Sequence, residues 1–371
     1  MSDRSDPRAL GAAVALAVAV QAVAVLAGCA PDEPFEAPEF PCTLAAEFQA
    51  ELGHLDDPAS IIDWQDFRNV VRMRDGRWIV RSIMVPQLFV YEPDGPFERT
   101  IGRAGEGPGE FNDPSTITVD RSDSIWVRDG GRIIVLDPEG AHARTMNAPG
   151  SEVDGFTPSN EPYALFVWAA PPDGDAVPYA TVRSRDFEPV RELGPGLENR
   201  RADGRPIRMV GVGTVFESDS TVLTTAVRDR ERSWIERWTP DGYEAWLYRA
   251  DVWRAVGGEG APPPRGEGSF VNLALTSDGD GGYWHVAAVR RPGLEEAEAG
   301  HYLSLEGGAR TRAFASYLLH LAGDGTITGK VELPEAPQAF VDHEHLMSPR
   351  VYEETGLITM RVWRVSRECG R

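Results

Sequence analysis

The chain has 371 residues, 42% of them hydrophobic, a formal net charge of -21 and a single lysine, Lys330. There is enough apolar material for one large domain or two ordinary ones. The charge excludes nucleic acid as a partner, because phosphates would be repelled, and excludes a polybasic attachment to a membrane surface.

Residues 1–28 read as an export signal. Arg4 and Arg8 precede the run Ala9 to Ala27, which is almost all Ala, Val and Leu around Gln21. The run closes on Leu26-Ala27-Gly28-Cys29, which has the form of a lipobox: the Cys29 thiol takes diacylglycerol and the chain is cut before it. A retained spanning helix is the alternative, since roughly nineteen apolar residues approach the width of a bilayer. The small side chains and the Gly-Cys end, without a basic stop-transfer cluster, favour cleavage. The mature chain then starts at Cys29 and hangs by acyl chains outside the cytoplasm, in the cell envelope. Ala30, where some inner-membrane lipoproteins carry Asp, favours the outer membrane. Residues 29–41, rich in Pro and acid, read as an extended tether.

From about Ile61 onward, short strand-like runs alternate with Asp-Gly turns. Thr43 to Leu52 fits a short helix or an edge strand equally. Val70 to Arg72, Trp78 to Val80, Leu88 to Tyr91 and Phe97 to Ile101 form one four-strand meander; Thr116 to Asp120, Ile125 to Arg128, Arg132 to Leu136 and His142 to Met146 form a second. Aligning Trp78 with Trp126 offsets the two by about 48 residues, close to a propeller-blade period. Tyr163 to Leu193 reads as a degenerate unit. Val212 to Tyr248 repeats the four-strand order, and so does Phe270 to Leu333, with Arg290 to Arg312 as a protruding loop. Arg350 to Val365 supplies the last strands.

Between the first two units runs Ile101-Gly-Arg-Ala-Gly-Glu-Gly-Pro-Gly-Glu-Phe111. Here the chain resembles the NHL-repeat family of β-propellers, in which such a segment leaves one blade and enters the next. The resemblance implies an all-β, six-bladed propeller of four-stranded antiparallel blades spanning residues 42–371. The chain ends too early to complete its last blade, and Thr43 to Leu52 is the natural source of the missing outer strand. That closure brings Cys42 to Cys369. These two cysteines remain after lipidation and, in an oxidising compartment, pair with each other.

No catalytic signature stands out. Gly105, Gly107 and Gly109 suggest a phosphate loop, but an alternating strand follows where a helix should start, and no Gly-Lys-Ser/Thr is present. His343 and His345, two apart on a strand, could share a metal; without a third ligand they read better as a polar loop near the top of the last blade. His54, His142, His285, His301 and His320 show no regular blade offset, and His320 reads as a core histidine beside Leu318. Trp78, Trp126 and Trp284 fall at equivalent second-strand positions and read as packing between blades. The resemblance therefore implies a binding or interaction scaffold for a protein, peptide or polymer, with no cofactor and no identified catalytic residue. The rival reading is a metal-dependent extracytoplasmic lyase or hydrolase with its site in the propeller channel.

Overall fold

The computed structural model describes residues 39–53, 70–82, 85–120, 122–147, 165–167, 180–183, 188–193, 214–218, 221–225, 233–239, 241–256, 270–291, 307–337, 339–352, 354 and 358–370. The export signal, Cys29, most of the tether, His54 and His301 lie outside them.

The described residues form six antiparallel sheets, five of four strands and one of three, with strands in sequential order in all but the last. The chain opens with β1 (Cys42–Leu52), which is a strand and not a helix. The first sheet holds β2 (Val70–Arg72), β3 (Trp78–Arg81), β4 (Leu88–Tyr91) and β5 (Phe97–Ile101). The second holds β6 (Pro114–Val119), β7 (Ile125–Asp129), β8 (Arg132–Leu136) and β9 (His142–Asn147). The third is the degenerate unit, β10 (Leu165–Val167), β11 (Ala180–Arg183) and β12 (Pro189–Leu193). The fourth holds β13 (Thr214–Ser218), β14 (Thr221–Thr225), β15 (Ser233–Thr239) and β16 (Gly242–Tyr248), followed by helix α1 (Arg249–Ala255). The fifth holds β17 (Phe270–Ser277), β18 (Tyr283–Arg290), β19 (Phe314–Leu321) and β20 (Ile327–Leu333), with helix α2 (Gly307–Ala313) leading into β19. The last holds β21 (Ala339–Phe340), β22 (His345–Val351) and β23 (Ile358–Cys369), and its outer strand is β1, in the order β1-β23-β22-β21.

The helices depart from the sequence reading, which placed none after Tyr248 and took Arg290 to Arg312 as a loop. At seven residues each, they are too short for a 3.6-residue period to show. α1 is held by burial of Val252 and Ala255, three apart on one face, and carries an Asp251–Arg254 ion pair at 2.9 Å.

Turn chemistry sets the strand spacing. In four turns between first and second strands an aspartate accepts the N–H two residues on: Asp75 from Arg77, Asp120 from Ser122, Asp278 from Asp280 and Asp342 from Glu344. The glycine turns between third and fourth strands do a second job. A Cβ on Gly140 would overlap Ile101 at the end of β5, and one on Gly325 would press on Trp246 near the end of β16. Both glycines have positive φ, so glycine is required there by conformation and by close approach to the preceding sheet.

Antiparallel pairing puts these turns on one face of the molecule, the turn face, and the remaining connections on the other, the loop face. First strands of neighbouring sheets touch, β2 with β6, β13 with β17 and β17 with β21, so they gather round a common axis. The core is a series of apolar seams between sheets. Ile79, Leu88 and Val90 meet Ile117, Ile125 and Ile134; Trp284, Val286 and Leu318 meet Leu44, Leu346 and Val365; Trp78 and Val80 meet Met347, Met360 and Val362. The three aligned tryptophans are buried on second strands, at 0%, 3% and 3% exposure.

Cys42 and Cys369 pair across β1 and β23 and form a disulfide with Cα atoms 4.0 Å apart. It joins residues 327 apart in sequence.

Candidate functional site

The densest polar chemistry lies where the fifth sheet meets the terminal sheet. On the turn face, Asp278, from the β17–β18 turn, and His320, near the end of β19, are both buried, with Asp278 Oδ2 2.9 Å from His320 Nε2. Arg367 of β23 reaches across and places Nη1 2.8 Å from the same carboxylate and against the His320 ring nitrogen. His320 Nδ1 lies 2.5 Å from the Thr328 hydroxyl. Burial, helped by the Arg367 charge, lowers the pKa of His320 against the pull of Asp278, so the ring is held neutral. Burial opposes ionisation of Asp278, but His320, the Asp280 and Gly282 amides and Arg367 outweigh it and hold the carboxyl below its usual range.

Toward the loop face of the same junction, Arg361 bridges two carboxylates. Its Nη1 is 2.6 Å from Glu335 Oε1 and its Nε is 3.3 Å from Glu51 Oε2. The Ser348 hydroxyl donates to Glu335 at 2.8 Å and accepts from the Trp363 indole at 2.8 Å. Tyr352 and Thr359 hydroxyls donate to Glu51, the former at 2.7 Å. Burial, with the nearby Glu51 charge, raises the Glu335 pKa, while Ser348 and Arg350 oppose it. The Glu51 hydrogen bond raises the pKa of Tyr352. Each carboxylate oxygen of Glu51 and Glu335 already has a partner from the terminal sheet. Sequence reasoning missed this network because Glu51 and Tyr352 are 301 residues apart. The signal available was the closure that lays Thr43 to Leu52 beside the last strands.

His343 and His345, weighed as a metal pair and read instead as a polar loop, are not brought together. His343 is exposed in the β21–β22 turn, with its ring over Gly279. His345 is no loop residue: it begins β22, is 1% exposed, and lies edge-on to Trp78 of the first sheet at 5.3 Å. Its Nδ1 is 2.7 Å from Asp342 and its Nε2 is 2.8 Å from Gln49. Among the described residues no group of three or more His, Cys, Asp or Glu side chains is placed to hold a metal ion. His285 is fully buried, 3.1 Å from the Ala274 carbonyl, and burial lowers its pKa to about 4.

The glycine-rich connection between β5 and β6 is filled by its own side chains. A Cβ on Gly102 would run into the Phe111 ring, which is fully buried. Gly107 N–H, the kind of donor a phosphate would take, is spent on Glu110 at 2.9 Å. Arg132 donates to the carbonyls of Gly105, Glu106 and Glu110, and the buried Asp129 carboxylate accepts from the Asn112 and Asp113 amides.

Radially gathered four-stranded sheets, packed face to face round an axis, decide the architecture. The fold is a β-propeller. A sequence-profile match to DUF5128, described as a 6-bladed beta-propeller, covers residues 66–192. A member of the DUF4221 family from Bacteroides vulgatus superposes with a TM-score of 0.52 at 10% identity, over 88% of this chain and 99% of its own. A candidate exported protein from Bacteroides fragilis does so with a TM-score of 0.52 at 11% identity, over 88% and 96%. A streptogramin B lyase aligns over 88% and 98% at 11% identity, but its TM-score of 0.42 carries no weight for activity. No curated protein matches this propeller in sequence.

Proposed function

We propose that the protein is an NHL-type, six-bladed propeller closed by β1, lipid-anchored at Cys29 in the cell envelope and facing away from the cytoplasm. It serves as a scaffold that binds a protein, peptide or polymer ligand. The observation that carries this reading is how the described side chains capable of chemistry are spent. His320, His345, Asp278, Asp342, Glu51 and Glu335 are each bonded to protein partners, most of them between or beside sheets. Such groups hold a framework rigid and leave recognition to the loops it presents. Fold likeness alone does not define a reaction.

The test is capture from the envelope. The anchored protein, cross-linked in intact cells, should retain a defined partner through extraction, and Cys29→Ser should abolish acyl labelling and lose that partner. Metal analysis of the purified protein runs alongside. A stoichiometric metal with turnover of a small substrate would replace the scaffold by the lyase or hydrolase reading.

A further inference from the structure

The end of β18 carries a polar feature that the Asp278–His320–Arg367 latch and the Glu51–Arg361–Glu335 network do not use. Arg290 is the last residue of β18, and its Nε and Nη2 are buried without a hydrogen-bond partner. Ser316 Oγ is likewise buried without one, on a residue 3% exposed. Arg290 pairs with Phe314 across β18 and β19, and the next pair on the same face, two residues along, is Ala288 with Ser316. The two are therefore diagonal neighbours on one sheet face, within reach of a long side chain. That face, with Ala288, Phe314 and Leu318, packs on the terminal sheet through Leu346 and Val365.

Nε–H and Nη2–H form one edge of the guanidinium, two parallel donors spaced to grip two oxygens of a planar or tetrahedral anion. Leaving that edge buried and unpaired costs more than an ordinary lost hydrogen bond, because the group is charged. The end of β3 shows a satisfied counterpart. Arg81, the last residue of that second strand, donates from Nη1 to the Pro114 carbonyl at the start of the next sheet, at 3.0 Å. Arg290 has the same place in its sheet and no such bond.

We infer that Arg290 and Ser316 form an oxyanion site in the junction between the fifth and terminal sheets, taking a carboxylate or phosphate group of a ligand. The guanidinium edge grips two oxygens and the Ser316 hydroxyl donates to one of them. The inference depends on neither blade count nor envelope location.

The experiment titrates the full chain in detergent with sodium phosphate and, separately, sodium acetate, at ionic strength held constant with sodium chloride. Saturable one-to-one binding of phosphate or acetate is expected, and the preferred anion separates the two ligand sources. Ser316→Ala should weaken it about threefold to tenfold, and Arg290→Lys, which keeps the charge but loses the two-donor edge, at least about tenfold. Arg290→Met should abolish binding yet melt at the same or a higher temperature in anion-free buffer. Failure of both anions to saturate, binding retained in Arg290→Met, or a lower melting temperature for Arg290→Met without anion would each overturn the site. A scaffold that still captures its partner after such a failure would leave the function standing and remove only this site.

Discussion

Two junctions of the same propeller solve one packing problem by different means. Between the first and second sheets the seam is apolar from Ile79 through Ile134, and the chain crosses it in a loop stitched to itself by Arg132, Asp129 and Glu110. Between the fifth and terminal sheets, an apolar middle is bracketed by charged groups, with Asp278, His320 and Arg367 at one end and Glu51, Arg361 and Glu335 at the other. The first junction joins sheets contiguous in sequence. The second also receives β1, delivered from the far end of the chain, with Leu44 packed on Gly329 of β20. Apolar burial is not directional, so a strand arriving from far away gains register from charged and covalent fasteners, as the disulfide and Glu51 illustrate.

The largest expected effect follows from that difference. Cys369→Ser should release β1 from β23 first, because the bridge closes a loop of 327 residues. The loop-entropy argument gives a loss approaching about 5 kcal/mol as an upper figure. Limited proteolysis should then cut near Cys42 well before it cuts the first two sheets. Simultaneous digestion of all sheets would show that the ends are not separately fastened.

Removing the latch comes next. Asp278→Ala leaves Arg367 and His320 without their acceptor and frees the Asp280 and Gly282 amides. Breaking a buried charged pair from one side costs about 3–4 kcal/mol, at the lower end here because Arg367 is 26% exposed. Urea unfolding should report that loss. The exposed pair Arg254–Asp251 is the control, and Arg254→Ala should change stability by less than about 0.5 kcal/mol.

Acid should separate the junctions further. The folded pKa of His285, about 4, lies below its ordinary 6.5, so the unfolded chain binds a proton that the folded one refuses. Its contribution is complete above about pH 6.5 and is lost as pH falls toward 4, amounting to about 3 kcal/mol. His320 is shifted in the same direction and adds to the loss. The first two sheets hold no buried histidine among the described residues, so amide exchange at pH 4.5 should accelerate in β17–β20 before it does in β2–β9. His285→Leu should flatten most of the slope in urea stability between pH 7 and 4.5; an unchanged slope would assign the acid loss elsewhere.

The contrast also explains what could be read before the fold was known. Where order follows from neighbours in sequence, the strands were legible nearly to the residue, as in Leu88–Tyr91 and Arg132–Leu136, because alternation and Asp-Gly turns are local signals. The disulfide was legible because the expected oxidising compartment and the expected ring closure both pointed to it. The latch and the Glu51–Arg361–Glu335 network were not, since they join residues 26 to 310 apart, and no local pattern distinguishes Glu51 from a solvated glutamate. His345 was misplaced for the same reason. Its burial comes from Trp78 and Gln49, which only the arrival of the first sheet and β1 beside the last sheet supplies.

The smallest effect is the sharpest test of the comparison itself. Arg81 and Arg290 end the second strands of their sheets, yet the first donates to the Pro114 carbonyl and the second has an edge without a partner. Arg81→Met should therefore cost about 1–2 kcal/mol, the net worth of a charged hydrogen bond whose loss leaves a part-buried carbonyl unsatisfied. Methionine keeps most of the aliphatic stem, so packing changes little. The same substitution at Arg290 should cost nothing in anion-free buffer. Measured side by side by thermal unfolding, the pair should split, with Arg81→Met melting lower than the parent chain and Arg290→Met not. If both fall equally, the two arginines do the same structural work and the junctions differ less than their contacts indicate. If Arg81→Met is also silent, the Pro114 contact is not a fastener, and the first junction rests on its apolar seam and its self-stitched loop alone.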